Sequence, residues 1–154
     1  MDRQEFTQRV LSMNDKMYRI AYGQLRNTYD CCDAVQEAIL KAWSSRDKLR
    51  KKEFFETWLI RILINECHDI QRRRKRVSPL DYAPEHANHI SEDISDVHDA
   101  VLALEEKYRL PIILHYMSGY TTEEIGRILH LPTGTVRSRL KRARERLKTE
   151  LESQ

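Results

Sequence analysis

The stretch TTEEIGRILHLPTGTVRSRLKRARERLKTEL, residues 121–151, decides the fold of the second half of this chain. Thr121 and Glu124 have the spacing of a capping box, which predicts that a helix begins here. A Leu-Pro pair at 131–132 interrupts the apolar periodicity, and Thr133 after it is a candidate cap for another helix. The stretch therefore predicts two helices joined by a tight turn.

The second of these helices is predicted to have one apolar face and to be basic elsewhere. Its apolar residues recur at steps of four, three, four and four: Val136, Leu140, Ala143, Leu147 and Leu151. Its cations are Arg137, Arg139, Lys141, Arg142, Arg144, Arg146 and Lys148. A basic face can be merely solvated, but a packing helix and a turn precede this one. That is the helix-turn-helix arrangement, whose second helix enters the DNA major groove, so DNA binding is predicted.

The first half of the chain predicts a bundle of three amphipathic helices. Its apolar residues recur at helical spacing, and glycine and proline are scarce, with four of each in 154 residues. The first helix is expected over about 4–27, and the second follows a turn in which Asp30 is a candidate cap. The third is expected over about 54–76, so that the first domain covers residues 1–77.

The composition changes abruptly after this bundle. Residues 77–99 contain no lysine or arginine but six acids, with two prolines in the first half of the stretch. An acidic linker is therefore predicted over 78–95. A four-helix domain is expected over 96–154, with Pro111 in the first turn of its second helix and Gly119 just after that helix. The predicted fold class is all-α, with two small helical domains joined by the linker.

Composition also argues against several other classes of protein. No apolar run is long enough to cross a bilayer and the polar start does not resemble a signal peptide, so no direct membrane insertion is expected. Cys31, Cys32 and Cys67 lack metal-ligand spacing, which predicts reduced thiols in a cytoplasmic protein. The six histidines form no HExxH motif, and no carboxylate cluster has catalytic spacing. We therefore expect no enzyme activity, no metal and no cofactor.

The first domain has basic segments of its own. These are the connection SSRDKLRKK at 44–52 and the run Arg72–Arg76. Each alone could be a solvated charge run. Two separated basic surfaces on one short chain nevertheless suggest two contacts with the same polyanion, and such binding weakens steeply with salt.

Two parts of the sequence resemble a known family. DAVQEAILKAW (33–43) with TWLIRILINECHDIQRRRKR (57–76) resembles conserved region 2 of bacterial sigma factors, and 121–147 resembles their region 4. Their order and spacing resemble those of an extracytoplasmic-function (ECF) sigma factor of the sigma-70 family. The resemblance implies a promoter-specificity subunit that binds core RNA polymerase and directs transcription initiation at −10 and −35 elements.

The same resemblance implies which residues make each contact. Those expected on the β′ clamp helices of core polymerase are Asp33, Gln36 and Glu37, which would otherwise be interpreted as a solvated helix face. Those expected to capture a flipped −10 base are Leu49, Lys51 and Lys52 in the loop and Ile62 and Asn65 on the helix. Arg72, Arg73 and Arg74 are expected on nearby duplex phosphates. At the −35 element, base-edge contacts fall on Ser138, Lys141 and Arg142, and phosphate contacts on Thr135, Arg137 and Arg139.

The implied partners are therefore core RNA polymerase, promoter DNA and an anti-sigma factor, all met in the bacterial cytoplasm. Region 4 is expected to contact the β flap of the polymerase. Two other readings remain open from the residues alone: a stand-alone helix-turn-helix regulator with an unrelated sensor domain, and an enzyme such as a nuclease. DNA binding that depends on polymerase distinguishes the first of these from a sigma factor.

Overall fold

A computed structural model of the chain describes residues 1–76 and 92–153. Within those ranges it contains eight α-helices and no β-strand. The chain divides into two compact units, residues 1–85 and 86–154. The predicted all-α, two-domain class is confirmed. Most of the predicted linker, 78–95, lies outside the described residues, although helix begins at Glu92, before the predicted end of the linker.

Four helices form the first unit: α1 (Arg3–Ser12), α2 (Asn14–Leu25), α3 (Thr28–Ser44) and α4 (Phe55–Arg76). The single first helix predicted over 4–27 is wrong, because Met13 interrupts it with ψ near 0° and its N–H bonds back to the Val10 carbonyl at 3.0 Å. The predicted cap of α3 is also wrong. Asn27 caps this helix, and its side chain accepts a hydrogen bond from the N–H of Asp30 at 3.0 Å.

The core of the first unit lies between α2, α3 and α4. Its largest fully buried side chains are Met17, Ile20, Leu25, Val35, Leu59, Ile60 and Leu63. Burial of each such side chain stabilises the fold by about 1.5–3 kcal/mol. An aromatic cluster closes one end of the unit, where the Phe6 ring lies 5.1 Å from Trp43 and 5.8 Å from Phe55, both edge to face. This cluster packs α1 against the ends of α3 and α4.

The second unit begins with α5 (Glu92–Ala103) and α6 (Glu106–Ile112), and α6 continues as a π-helical turn over Ile113–Met117. Pro111 was expected in the first turn of this helix, but it lies near the end of α6. A proline inside a helix cannot donate a main-chain hydrogen bond, and the change to π geometry follows directly after it. Gly119 has φ +79° and follows the end of the helix, as predicted.

The helix-turn-helix of the second unit consists of α7 (Thr122–Leu129) and α8 (Thr133–Glu152). The predicted capping box is confirmed. The Glu124 N–H donates to the Thr121 hydroxyl at 3.1 Å, and the Thr121 N–H donates to the Glu124 carboxylate at 3.0 Å. The cap predicted for α8 is wrong, because Thr133 is already its first helical residue and no side chain caps this end.

The apolar stripe of α8 is buried over only part of its length. Val136, Leu140 and Ala143 are buried, Leu147 is half-buried and Leu151 is 37% exposed. The predicted single buried face therefore holds for the first half of the helix. The second half extends beyond the core of its own unit.

The turn between α7 and α8 depends on Gly126. A Cβ atom at this position would lie 2.7 Å from the main-chain oxygen of Leu131, a distance at which the backbone must shift. At Gly134, in the first turn of α8, a Cβ would meet nothing within 4 Å. The two glycines thus have opposite requirements although both lie in helices.

We expect Gly126→Ala to lower the free energy of unfolding by about 1–3 kcal/mol, because the overpacking exceeds the gain in helix propensity. Gly134→Ala is the matched control and is expected to leave stability unchanged or raise it by up to about 1 kcal/mol. Thermal unfolding of the full chain, followed by circular dichroism, measures both. Equal stability of the two variants would contradict this account of the turn.

Candidate nucleic-acid interface

The first half of α8 presents polar side chains on the side opposite its buried stripe. Ser138, Lys141 and Arg142 are exposed there, and the Ser138 hydroxyl donates to the Gly134 carbonyl at 3.0 Å. Thr135 and Arg139 are half-buried at the margins of this face. The structure therefore brings together on one exposed helix surface the residues predicted from sequence to contact the −35 element.

Several cations of α8 are paired with side chains of their own unit. Arg137 lies 3.6 Å from Glu123 of α7, and Arg146 lies 3.4 Å from Glu105. Arg144 donates to the Tyr116 hydroxyl at 2.9 Å. These contacts are solvent-exposed, so each stabilises the fold weakly and can be exchanged for a phosphate.

Tyr108 of α6 lies against the arginines of α8. The Arg146 guanidinium lies over the ring, 4.4 Å from its centroid. Arg142 is the main reason why the pKa of Tyr108 is lowered, while burial opposes the effect and Lys107 and Arg146 add to it. Among the described residues, Arg139 and Lys141 have no such partner. Within the described residues, some cations of α8 are therefore paired with other side chains of the unit and others are not.

In the first unit, the loop between α3 and α4 is tied to α1. Lys52 Nζ lies 2.9 Å from a carboxylate oxygen of Glu5, and the Lys52 carbonyl accepts a hydrogen bond from Arg9 at 3.0 Å. The Lys52 hydrogen bond is the main reason why the pKa of Glu5 is lowered. Lys51 is exposed and Leu49 is half-buried. The loop therefore has an anchored end, with Lys51 directed to solvent beside it.

Residues of α4 that were predicted to take part in base capture differ in exposure. Asn65 is exposed, whereas Ile62 is half-buried. They are three positions apart, so they lie on neighbouring parts of one helix surface. Trp43 is also half-buried, and the Arg46 guanidinium stacks on it at 3.8 Å from the ring centroid.

At the basic C-terminal end of α4, some side chains point to solvent and others point into the unit. Arg72 pairs with Asp69, and Arg73 is exposed without a recorded partner in the described part of the chain. Arg74 differs from both, because only 19% of its side chain is exposed. It forms an ion pair with Asp30 and donates to the Leu25 carbonyl at 3.2 Å.

Arg74 therefore joins the end of α4 to the end of α2 and the start of α3. One turn earlier on the same face, Gln71 donates to the Gln24 carbonyl at 3.1 Å. Both contacts satisfy main-chain carbonyls at the C-terminus of α2, where an arginine is also favoured by the helix dipole. This geometry favours a structural role for Arg74 over the phosphate contact expected from sequence.

A groove of about 610 Å³ lies between α3 and the C-terminal half of α4. Asp33, Gln36 and Glu37 are exposed on its α3 side, and the α4 side is basic through Arg72, Arg73 and Arg76. An ion pair between Lys41 and the buried Glu66 lies in this groove, and its hydrogen bond raises the pKa of Lys41. Leu40, 60% exposed, adds an apolar contact surface among the charges.

Within residues 1–76 and 92–153, no group of three His, Cys, Asp or Glu side chains is arranged to hold a metal ion. No helix there has the length and apolar character needed to cross a membrane.

Comparison with known proteins shows the family to which the chain belongs. Residues 10–77 match the family described as Sigma-70 region 2, and residues 94–147 match Sigma-70, region 4. The ECF RNA polymerase sigma factor SigW of Bacillus subtilis is 32% identical over 169 residues, which cover 97% of this chain and 90% of SigW. The chain belongs to the ECF sigma factors of the sigma-70 family. It is accordingly a sigma factor, a protein of transcription initiation.

Other relatives support this assignment. The ECF RNA polymerase sigma-E factor of Escherichia coli K12 is 37% identical over 136 residues, which cover 75% of this chain and 71% of that protein. Among solved structures, the sigma factor RpoE from Bartonella quintana, crystallised with the anti-sigma factor NepR, superposes with a TM-score of 0.85 at 29% identity. That match covers 97% of this sigma factor and 98% of RpoE.

The sequence did not predict the residues that anchor the side chains and the loop proposed to contact DNA. Glu5 and Arg9 anchor the loop of the first unit, and Glu105 and Tyr108 both contact Arg146 of α8. Each partner lies at least 34 positions away along the chain, so no local pattern links the two. Only the spacing of Arg74 could have indicated its inward direction from sequence. It lies three residues after Gln71, so both side chains lie on the face of α4 that meets α2.

We expect Arg74→Ala to lower the free energy of unfolding by about 1–3 kcal/mol, because it leaves Asp30 half-buried without its charged partner. Arg73→Ala is the matched control, one position away and exposed, and is expected to change stability by less than about 0.5 kcal/mol. Urea unfolding of the full chain measures both changes. An Arg74→Ala variant as stable as the unchanged chain would contradict the structural role of Arg74.

Proposed function

We propose that this sigma factor binds core RNA polymerase and directs transcription initiation by reading a −35 element with α8 and opening a −10 element with its first unit. The observation that carries the proposal is the first half of α8. One face of that half is buried through Val136, Leu140 and Ala143, and the opposite face exposes Ser138, Lys141 and Arg142. A helix of this kind, preceded by α7 and a tight turn, suits the major groove.

The contacts proposed with the −35 element are of two kinds. Lys141 and Arg142 can donate to the acceptor edge of guanine, and Arg142 can do so through two N–H groups. The Ser138 hydroxyl can bind either a donor or an acceptor on a base edge. Thr135, Arg137 and Arg139 border this surface and would bind phosphates, which set the position of the helix without reading sequence.

The first unit is proposed to capture a flipped base of the −10 element. Lys51 and Lys52 supply positive charge beside the strand, and the side chain of Leu49 supplies an apolar contact. Asn65 carries an amide that can pair with a base edge, and Ile62 adjoins it on α4. Unstacking a base costs a few kcal/mol, so a pocket and hydrogen bonds must compensate for it. Arg72 and Arg73, both exposed, would bind the neighbouring phosphates.

Binding of core polymerase is proposed for the groove between α3 and α4. On the α3 side of the groove, Asp33 and Glu37 suit a basic partner surface, and Leu40 beside them supplies the apolar contact that charged surfaces alone lack. We assign this groove to the β′ clamp helices, and the second unit to the β flap. Both assignments rest on membership of the family, whose function requires contact with the polymerase.

An anti-sigma factor is proposed as a further partner. The sigma factor RpoE from Bartonella quintana was crystallised with such a protein, and its fold matches nearly the whole of this chain. Because core polymerase is the main partner, we propose the bacterial cytoplasm as the place of action. No chemical reaction is assigned to the protein itself.

Run-off transcription tests the proposal directly. Bacterial core RNA polymerase is supplied with fragmented genomic DNA, with and without the sigma factor. Discrete new transcripts whose start sites share two spaced upstream elements are expected. If no transcripts appear although the protein alone retains specific DNA fragments, the protein is a stand-alone regulator and the proposal fails.

For the −35 contact, we expect Arg142→Ala to reduce discrimination between the matched and a scrambled −35 element by about 1–3 kcal/mol. Arg144→Ala, which removes an exposed arginine not assigned to a base, is the control and should weaken transcription from both templates alike. Transcript yields on paired templates give the ratio. Equal losses on matched and scrambled elements for Arg142→Ala would remove it from the base-reading set.

For the polymerase contact, we expect the double change Asp33→Ala and Glu37→Ala to weaken binding of core polymerase by about 1–2 kcal/mol, a factor of roughly 5–30. Asp15→Ala, at an exposed acid of α2, is the control and should bind normally. Competition with a fluorescently labelled copy of the sigma factor for core polymerase measures the affinity. Unchanged affinity of the double variant would show that the groove is not the docking site.

A further inference from the structure

The groove between α3 and α4 contains a buried carboxylate, that of Glu66. This residue of α4 is 5% exposed, and it forms an ion pair with Lys41 of α3. The Lys41 side chain is 53% exposed, so its ammonium reaches the carboxylate from the solvent side of the groove. Both residues line the groove together with Asp33 and Glu37. The sequence did not predict this pair, and the proposed function does not use it.

A second acid lies within reach of Lys41 on its own helix. Glu37 lies four positions before it, and an acid that precedes a lysine by one helical turn is well placed for an ion pair. In the structure Lys41 pairs instead across the groove, with Glu66. Within the described residues, Asp33 and Glu37 have no hydrogen bond or ion pair with another side chain. The two acids proposed to bind the polymerase are therefore available to a partner.

We propose that Glu66 is a positioning residue for binding of core polymerase, which holds the ammonium of Lys41 on the α4 side of the groove and so leaves Glu37 free to bind a cation of the partner. The inference rests on the proposed function, because it requires Glu37 to contact the polymerase. It adds to the docking surface a buried residue on another helix, which acts on the partner only through the charges of α3.

Burial of the carboxylate explains why Lys41 stays with Glu66. The attraction between opposite charges is stronger away from water, whereas an ion pair with Glu37 on the exposed face of α3 would be weak. A buried carboxylate that loses its partner also costs free energy, so separation of the pair is disfavoured. Glu37 needs no such partner, because it is exposed and water solvates its charge.

The other charges that line this groove leave the pairing as it is. Asp69, one turn after Glu66, is paired with Arg72 of its own helix. The two further arginines on the α4 side form no ion pair with the acids of α3 in the described part of the chain. When the charge of Glu66 is removed, Glu37 is therefore a carboxylate at ion-pair spacing from Lys41 that has no cation of its own.

The test measures binding of the full chain to core polymerase, by competition with the fluorescently labelled sigma factor. Glu66→Gln keeps the shape of the side chain but releases Lys41, which then pairs with Glu37. We expect this variant to bind core polymerase about twofold to fivefold more weakly. Lys41→Met removes the released cation, so the double variant with Glu66→Gln should bind as tightly as the unchanged chain.

A second double variant tests whether Glu66 acts through Glu37. Glu37→Gln alone should weaken binding, and Glu37→Gln combined with Glu66→Gln should bind no more weakly than Glu37→Gln alone. The matched control is Glu56→Gln. It breaks another lysine–glutamate pair between helices of this unit, in which Lys16 Nζ lies 2.8 Å from Glu56, outside the groove. This control should keep full affinity, and thermal unfolding checks that each variant is folded at the temperature of the assay.

The outcomes distinguish the inference from the proposed docking site. If Glu37→Gln keeps full affinity, and so does the double change of Asp33 and Glu37 to alanine, the docking site fails and the role of Glu66 fails with it. If Glu37→Gln weakens binding but Glu66→Gln does not, only the positioning role is overturned. Additive losses of these two variants also overturn it. So does weak binding of the double variant with Lys41→Met, which keeps neither charge of the pair and is therefore informative even if Glu66→Gln alone is unstable.

Discussion

Close packing at the turn between α7 and α8 is the constraint on which the second unit depends. The Leu131 main chain passes so near Gly126 that no side chain fits between them, and the Leu131 N–H donates to the Gly126 carbonyl at 2.9 Å. His130 completes the turn in the left-handed region, with φ 57°. These main-chain contacts fix the direction in which α8 leaves α7, and every side chain that α8 presents follows from that direction.

The basic surface of α8 is organised by groups of its own unit. Glu123, Glu105, Tyr108 and Tyr116 each contact one arginine of α8, whereas Lys141 has no such partner within the described ranges. The exposed ion pairs can be exchanged for phosphates at little cost, since such pairs stabilise proteins weakly. The Tyr108 ring differs from these exposed partners because it is buried, and the Arg146 guanidinium lies against its face.

In the first unit, the residues at the basic end of α4 have two roles, which depend on the face of the helix they occupy. Gln71 and Arg74 face the C-terminus of α2 and bind its carbonyls, while Arg72 and Arg73 face solvent. The same run of sequence thus stabilises the unit and supplies free positive charge. The loop before α4 shows a similar division, since Lys52 is held by α1 whereas Lys51 beside it is exposed.

Local sequence determined the helices, the capping box at Thr121 and the helix-turn-helix, because periodicity and capping depend on residues a few positions apart. Family resemblance supplied the candidate contacts. The tertiary structure alone decided that the first predicted helix breaks at Met13, that Arg74 faces inward, and that Arg146 lies on the ring of Tyr108. Each of these depends on packing or on a partner from a distant helix, and the spacing of residues along one chain carries no information about such partners.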